Sequence, residues 1–436
     1  MKKNYLLGMA LMASLSFYSC DKEVVYVQQD GEGVESVADG AQIITLQVEN
    51  GGDGLATRAG RPLYSAEAKQ TIENVKLWIC DAEGNVKYVK NINDWNTSSA
   101  AYTTGGHGRQ MTIELTGDNK LSANTYKVYA VGYSNGSAYT LTDVTGVTKD
   151  GTFNENMVLP CSTVGEEIFA GQMDLSVETG KGFKKPVVLN RQVAGAFAYV
   201  KDIPFMAGAK YLKLVASAQN QSLVLGNFNS VDLTGNGSDN DANVKYVVNG
   251  TYGKSDGNYA YVISTIDLNQ WFTEIKDDDS NNLIDTDNNW TNPYSSEGHP
   301  TFQKGSVFGG EFVIPFAHVD GQQTLTLQLT NEGGTVLRSW KVNLNSEDVQ
   351  LNKEITYWNS DWNSTITDTS ANTYSLVRNH LYGIGKRVND DPGEGTDPEP
   401  ETPDPDKDKP ESLNNKQELV LKVNDNWEVI HGMELD

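Results

Sequence analysis

Gln42-Ile43-Ile44-Thr45-Leu46-Gln47-Val48 sets Ile44, Leu46 and Val48 at every second position. Successive side chains of a β-strand point to opposite sides, so this alternation predicts a strand with one face buried and one face wet. Gly51-Gly52-Asp53-Gly54 then breaks the run. A second run of the same kind lies near the other end of the chain. There Leu419, Leu421 and Val423 interleave with Val420, Lys422 and Asn424, and Trp427 and Val429 follow.

Between these runs the two-residue period recurs. Val75, Leu77 and Ile79 alternate, Asp81-Ala82-Glu83-Gly84-Asn85 supplies a turn, and residues 86–89 return as the second arm of a hairpin. Met111, Ile113 and Leu115 mark a further strand, and residues 126–133, rich in Tyr, Val and Ala, read as a central one. Residues 187–200 predict one or two strands near a domain boundary, carried by Leu189, Val193 and Phe197. Residues 211–215, 259–263 and 312–316 are apolar runs. Leu325, Leu327 and Leu329 alternate before a turn at Asn331-Glu332-Gly333-Gly334, residues 336–344 return with Trp340, and residues 374–384 form the last strand of the body. Short strands punctuated by turns predict an all-β chain of two β-sandwiches.

The 436 residues suffice for two medium domains, each with its own core. Asp and Glu total 58 against 34 Lys and Arg, a formal charge of -24. That balance repels phosphates and excludes nucleic acid and electrostatic docking on anionic lipid as partners. The chain has three cysteines. Export would permit a disulfide between Cys80 and Cys161, but two small buried residues is the plainer reading.

The chain opens with Met1-Lys2-Lys3 and a short apolar stretch over residues 6–17, ending at Phe17-Tyr18-Ser19-Cys20. A membrane-spanning helix needs roughly 20 apolar residues, so this stretch reads as an export signal. A small residue directly before cysteine is what lipoprotein signal peptidase requires, which makes Cys20 the expected lipidation site. Phe17 stands where Leu is usual, so the motif is imperfect. An ordinary secretory signal followed by an unmodified cysteine is the alternative.

Residues 21–41 are polar and predict a flexible tether. Residues 389–410 are almost wholly Asp, Glu, Pro, Gly, Thr and Lys, a composition that buries no core and stays extended. The body therefore carries a separable strand at each end. Either set of three apolar side chains fits one row of pockets in an incomplete sandwich. A strand on a long tether also reaches a neighbouring molecule, where it adds to an open sheet by main-chain hydrogen bonds. The competing expectation is that residues 417–436 fold back on their own body as an edge strand. Arg58 lies between the first strand and the body in a small-residue segment suited to a protease, and Arg58-Ala59 is a better trypsin-like site than Arg61-Pro62.

Several segments together resemble the Bacteroidales fimbrillins, the subunits of type V pili. They are the lipoprotein signal to Cys20 with Asp21 and Glu23 behind it, Ala56-Thr57-Arg58-Ala59, Val75-Lys76-Leu77-Trp78-Ile79 and Tyr126-Lys127-Val128-Tyr129-Ala130-Val131, then Leu189-Asn190-Arg191-Gln192-Val193-Ala194 and Arg378-Asn379-His380-Leu381-Tyr382. The acidic linker and closing strand with Trp427 are similar to the major-subunit, short-fimbria branch. The resemblance implies two tandem transthyretin-like β-sandwich domains with a tethered C-terminal strand. It also implies transport to the cell outer membrane, cleavage between Arg58 and Ala59 by an arginine-specific protease, and polymerisation by strand exchange with Leu419, Leu421 and Val423 as donor side chains. The implied partners are other fimbrial subunits (copies of this chain plus tip and anchor proteins) and the outer membrane through lipid before cleavage. The implied division is a signal peptide at 1–19, a lipidated propeptide with the removable strand at 20–58, sandwiches at 59–185 and 186–388, the linker at 389–411 and the donor segment at 412–436. An Arg58 site together with a tethered strand favours a stalk subunit over a tip or anchor.

No enzyme is expected. His107, His299, His318, His380 and His431 show no HExxH arrangement, and no nucleophile elbow or phosphate-binding glycine loop occurs. Asp277, Asp279, Asn281 and Asp285 fall at calcium-loop spacings, with Ile284 at the apolar position. Asn282 replaces the usual Gly and Asn288 the closing Glu, so a solvated loop and no metal is the expectation. Trp271, Phe272 and Trp290 suit either a core or a glycan platform, and a glycan-binding surface lipoprotein is the second functional reading.

Overall fold

The computed structural model describes residues 40–48, 72–101, 109–161, 166–216, 220–225, 246–252, 261–293, 302–315, 325–344, 355–358, 365–368, 376, 378, 380–385, 409–414 and 416–426. Their regular structure is almost entirely β-strand. The first nine are β1 (Gln42–Val48), β2 (Asn74–Asp81), β3 (Val86–Ile92), β4 (Ala100–Ala101), β5 (Arg109–Leu115), β6 (Asn124–Tyr133), β7 (Val158–Pro160), β8 (Phe169–Val177) and β9 (Phe183–Arg191). Eight of them form one sheet in the order β3-β2-β6-β8-β9-β1-β5-β4. β8 and β9 share only two residue pairs, Phe169 with Arg191 and Ala170 with Asn190. The path turns over there into two layers. A Cβ on Gly171 would collide with the Val188 carbonyl, so glycine is what lets the two backbones approach. Ile44, Leu46 and Val48 from one layer meet Val75, Leu77, Ile79 and Val128 from the other in one core.

β1 departs from the expected half-buried strand. Thr45 and Gln47, on its polar face, are only 7% and 6% exposed. The reason is its position: it runs parallel to β9 and antiparallel to β5 over its whole length, and the register sets Pro186 and Thr112 beside Thr45. Alternation correctly located the apolar face, but it could not show that an interior strand also shelters its polar one.

The β2–β3 hairpin forms as expected. Gly84 takes φ 81°, and the Asp81 carboxylate accepts from the backbone N–H of Glu83 and Asn85. Lys87 Nζ lies 2.8 Å from Asp81, and these partners hold the Asp81 carboxyl well below the ordinary carboxylate range. A depressed pKa in the folded state contributes stability that is present above the unfolded value of about 3.9 and lost as pH falls through the folded one. The stability advantage of the wild type over Asp81→Asn should therefore be full at pH 6 and shrink steadily below about pH 4. Thermal unfolding of both proteins across that range measures it.

The remaining strands are β10 (Ala194–Lys201), β11 (Ala209–Ala216), β12 (Asn220–Val224), β13 (Tyr246–Val248), β14 (Gly250–Tyr252), β15 (Tyr261–Asp267), β16 (Val307–Val313), β17 (Leu325–Asn331), β18 (Val336–Leu344), β19 (Ile355–Trp358), β20 (Thr365–Asp368), β21 (His380–Ile384), β22 (Glu411–Ser412) and β23 (Glu418–Asn426). The main sheet here runs β15-β11-β17-β18-β23-β21-β10-β16, with β22 against β10. Its core includes Phe197, Tyr199, Leu214, Leu327, Trp340 and Leu419.

β23 was expected either to reach away or to fold back at an edge. Its described residues fold back, but into the interior. Glu418 to Leu421 pair parallel with Lys341 to Leu344 of β18, and Lys422 to Asn426 pair antiparallel with His380 to Gly383 of β21. The strand thus passes from one layer to the other. Of the expected last strand over 374–384, residues 380–384 form β21 and Arg378 lies in a turn, while residues 374, 375, 377 and 379 lie outside the described residues.

The two halves share a third core, where Trp78, Tyr139, Leu159 and Ile168 pack with Val193, Leu223, Phe312 and Ile314. A small sheet ordered β14-β12-β7 also draws one strand from the first half and two from the second. Cys80 and Cys161 lie buried in this shared core without a disulfide, and burial pushes the Cys80 thiol up to about 12. A short sheet β13-β19-β20 completes the described architecture.

Candidate functional site: two inserted strands

Each strand flagged at the ends of the chain pairs with one parallel and one antiparallel neighbour. β1 lies between β9 and β5 along its whole length, whereas β23 pairs with β18 through residues 418–421 and with β21 through residues 422–426. Ile44, Leu46 and Val48 are wholly buried. Full burial of such side chains stabilises by roughly 1.5–3 kcal/mol each. β1 is further pinned at its start: Gln42 Nε2 donates to the Leu121 carbonyl at 2.8 Å, and its Oε1 accepts from the Leu121 N–H at 2.7 Å. Sequence reasoning did not single out Gln42, because a glutamine opening a strand carries no signal of its own.

Leu419 is 1% exposed and packs in the second core. Leu421 is set opposite Leu344 and Val423 opposite Tyr382 by backbone pairing. The three expected donor positions are thus divided between the two layers of their own sandwich. Cys20, Arg58, Ala59, Trp427 and most of the acidic linker lie outside the described residues, as do His107, His299, His318 and His431. His380 opens β21, its backbone paired with Asn426.

The aromatic residues weighed as a glycan platform are turned inward. Trp271 and Phe272 are 1% and 2% exposed, and Trp290 packs against the same core with its indole N–H on the Ser306 carbonyl at 2.6 Å. In the acidic loop, carboxylate oxygens of Asp277, Asp279 and Asp285 lie within 4.8 Å of one another. They accept backbone N–H groups of Asn281, Asn282 and Asp278. Asn282 takes φ 66°, the left-handed conformation that Asn tolerates where Gly is usual. Among the described residues no helix is long and apolar enough to cross a membrane.

A buried polar cluster joins the two halves. Arg191 donates through Nε to Glu167 Oε1 at 2.8 Å, with Nη2 2.7 Å from the same oxygen, and both residues are at most 1% exposed. Gln192 Oε1 accepts from Arg378 Nη1 at 3.0 Å and from Asn249 Nδ2 at 3.1 Å. Arg191 and Gln192 fall inside one of the segments that carried the fimbrillin resemblance and Arg378 inside another, but the meeting of Gln192 and Arg378 across 186 positions was not legible from spacing. Glu167→Ala should cost about 3–5 kcal/mol by leaving the Arg191 charge buried without its carboxylate. Chemical denaturation measures that loss.

No family model matches the chain, and no curated protein matches it. Solved structures do. The chain is similar to the fimbrial anchor protein Mfa2 from Porphyromonas gingivalis at 11% identity, over 77% of this chain and 99% of that one, with a TM-score of 0.33. It is similar to a fimbrial assembly protein from Parabacteroides distasonis at 11% identity, over 75% and 99%, with a TM-score of 0.36. It is likewise similar to the C-terminally truncated tip fimbrial protein Mfa3 from Porphyromonas gingivalis at 8% identity, over 79% and 94%, with a TM-score of 0.36.

Proposed function

We propose that this chain is a structural subunit of a cell-surface fimbria, acting as a stalk component and not as an enzyme. It is exported as a lipoprotein acylated at Cys20, released by cleavage between Arg58 and Ala59, and polymerised when β23 of one copy fills the slot vacated by β1 of another. The observation that carries this reading is the placement of β1. It is an interior strand holding three fully buried side chains, yet the sequence from its end to the start of β2 contains Arg58. Cutting there severs a strand that the sheet cannot lose without opening a groove. β23 is suited to such a slot, because its backbone already makes parallel pairs through residues 418–421 and antiparallel pairs through residues 422–426. Lipid energetics fit the cycle: acyl burial at about 0.8 kcal/mol per CH2 holds a multiply acylated subunit on the membrane until proteolysis frees it.

A lipid-retaining glycan binder is the second reading, and the inward packing of Trp271, Phe272 and Trp290 weighs against it. N-terminal sequencing of the surface protein separates the two. A mature start at Ala59 supports the stalk reading; a start at Cys20 supports an anchor or receptor.

A further inference from the structure

β1 and β23 share a sequence pattern that begins one residue before β23. Gln42, Ile44, Leu46 and Val48 stand at every second position, and so do Gln417, Leu419, Leu421 and Val423. The apolar part of this pattern belongs to any half-buried strand. The leading glutamine does not, and its part in β1 is visible. Gln42 is buried on the same face as Ile44, Leu46 and Val48. The two ends of its amide take both the carbonyl and the N–H of Leu121, itself a buried residue. Gln417 has no such role in its own fold. Its side chain is exposed and makes no hydrogen bond to a described residue, while its backbone carbonyl accepts from the Lys341 N–H at 3.2 Å.

We propose that Gln417 sets the register of strand exchange, taking the place of Gln42 and pairing both ends of its amide with the Leu121 backbone of the accepting copy. This rests on the strand-exchange reading above. When β1 leaves, the Leu121 N–H and carbonyl lose their partners. An amide offers a donor and an acceptor on one planar group and restores both. With Gln417 there, Leu419, Leu421 and Val423 replace Ile44, Leu46 and Val48 opposite Ile113, Met111 and Arg109 of β5. Glu418 falls at Ile43, the one half-exposed position of β1. Lys422 replaces the buried Gln47 beside half-exposed Gln110, where a lysine stem lies along the sheet and its ammonium reaches water. A slip by two residues keeps the same face toward the core, so alternation alone does not choose the register. Slipped one way, Leu419 meets the Leu121 backbone and Asp425 enters the place of Val48. Slipped the other way, Gln417 is buried in the place of Ile44. Each slip leaves buried polar groups unpaired.

Disulfide trapping in polymers of cleaved subunits tests this. Each subunit carries Glu418→Cys and one of Glu114→Cys, Thr112→Cys or Thr116→Cys, and bonds between copies give a ladder on a non-reducing gel. The ladder should appear with Glu114→Cys, because residue 418 takes the place of Ile43, opposite Glu114. Adding Gln417→Leu should lower that ladder about tenfold through the loss of two hydrogen bonds. It should raise the Thr112→Cys ladder, since a leucine is accepted in the place of Ile44. Gln417→Leu should leave thermal unfolding of the uncleaved monomer unchanged, whereas Gln42→Leu should lower it. Gln417→Glu, which keeps an acceptor and loses the donor, carries the test if Gln417→Leu unsettles the monomer. Loss of polymer from a Gln417→Leu chain that unfolds like the wild type supports the same role. A ladder at Thr112→Cys or Thr116→Cys with Gln417 in place overturns the register, and strand exchange stands. A Glu114→Cys ladder undiminished by Gln417→Leu overturns the role of Gln417. Polymers with no ladder at any of the three positions overturn strand exchange itself.

Discussion

A chain ending at Gln417 is expected to form no fibres and to unfold several kcal/mol more easily than the full chain. The two losses have separate origins. Assembly fails because the truncated copy has no strand to donate. Stability falls because β23 joins the β18 layer to the β21 layer and buries Leu419, a side chain worth roughly 1.5–3 kcal/mol by itself. Loss of fibres from the truncated chain alone is thus ambiguous, and mixing resolves it. A truncated, cleaved copy keeps an open β1 slot, so it accepts a strand but passes none on. Added at a few per cent to intact subunits, it should shorten the fibres seen by electron microscopy. Unchanged fibre lengths from a truncated protein that remains folded would contradict the donor role of β23.

Arg58→Ala should abolish assembly and accumulate a larger, lipid-bearing form. The size of this effect follows from what β1 does in place. Ile44, Leu46 and Val48 are wholly buried, together worth roughly 4–9 kcal/mol, and seven residues pair on both sides. A covalently attached strand also competes at a high effective concentration that a neighbour's strand in dilute solution does not reach. Gel mobility and N-terminal sequencing read the trapped form, and microscopy reads the missing fibres. Normal fibres from Arg58→Ala would rule out Arg58 as the site that opens the slot.

Period-two patterning located β1, the β2–β3 hairpin, β5, the β17–β18 hairpin and β23, because each presents one clearly apolar face, and the run of Tyr, Val and Ala over residues 126–133 located β6 as a central strand. It missed β8, although Met173, Leu175 and Val177 alternate there with Gln172, Asp174 and Ser176, and the short strands β12, β13, β14, β19 and β20, whose runs are too brief to carry a period. The position of each strand in its sheet was not legible. Alternation reports which side chains share a face, while order is set by contacts far apart in sequence. That is why β23 read as an isolated strand although its backbone pairs with residues 341–344 and 380–383. The Gln192–Arg378 contact was hidden for the same reason: two polar residues far apart in the chain give no hint that both are buried.

On assembly, the slot between β5 and β9 is expected to change occupant. A high-resolution structure of the assembled fibre reads that slot directly. The expected fibre holds chains beginning at Ala59, with residues 418–426 of a neighbouring copy lying between β5 and β9. Residues 42–48 of the same chain in that position would contradict it.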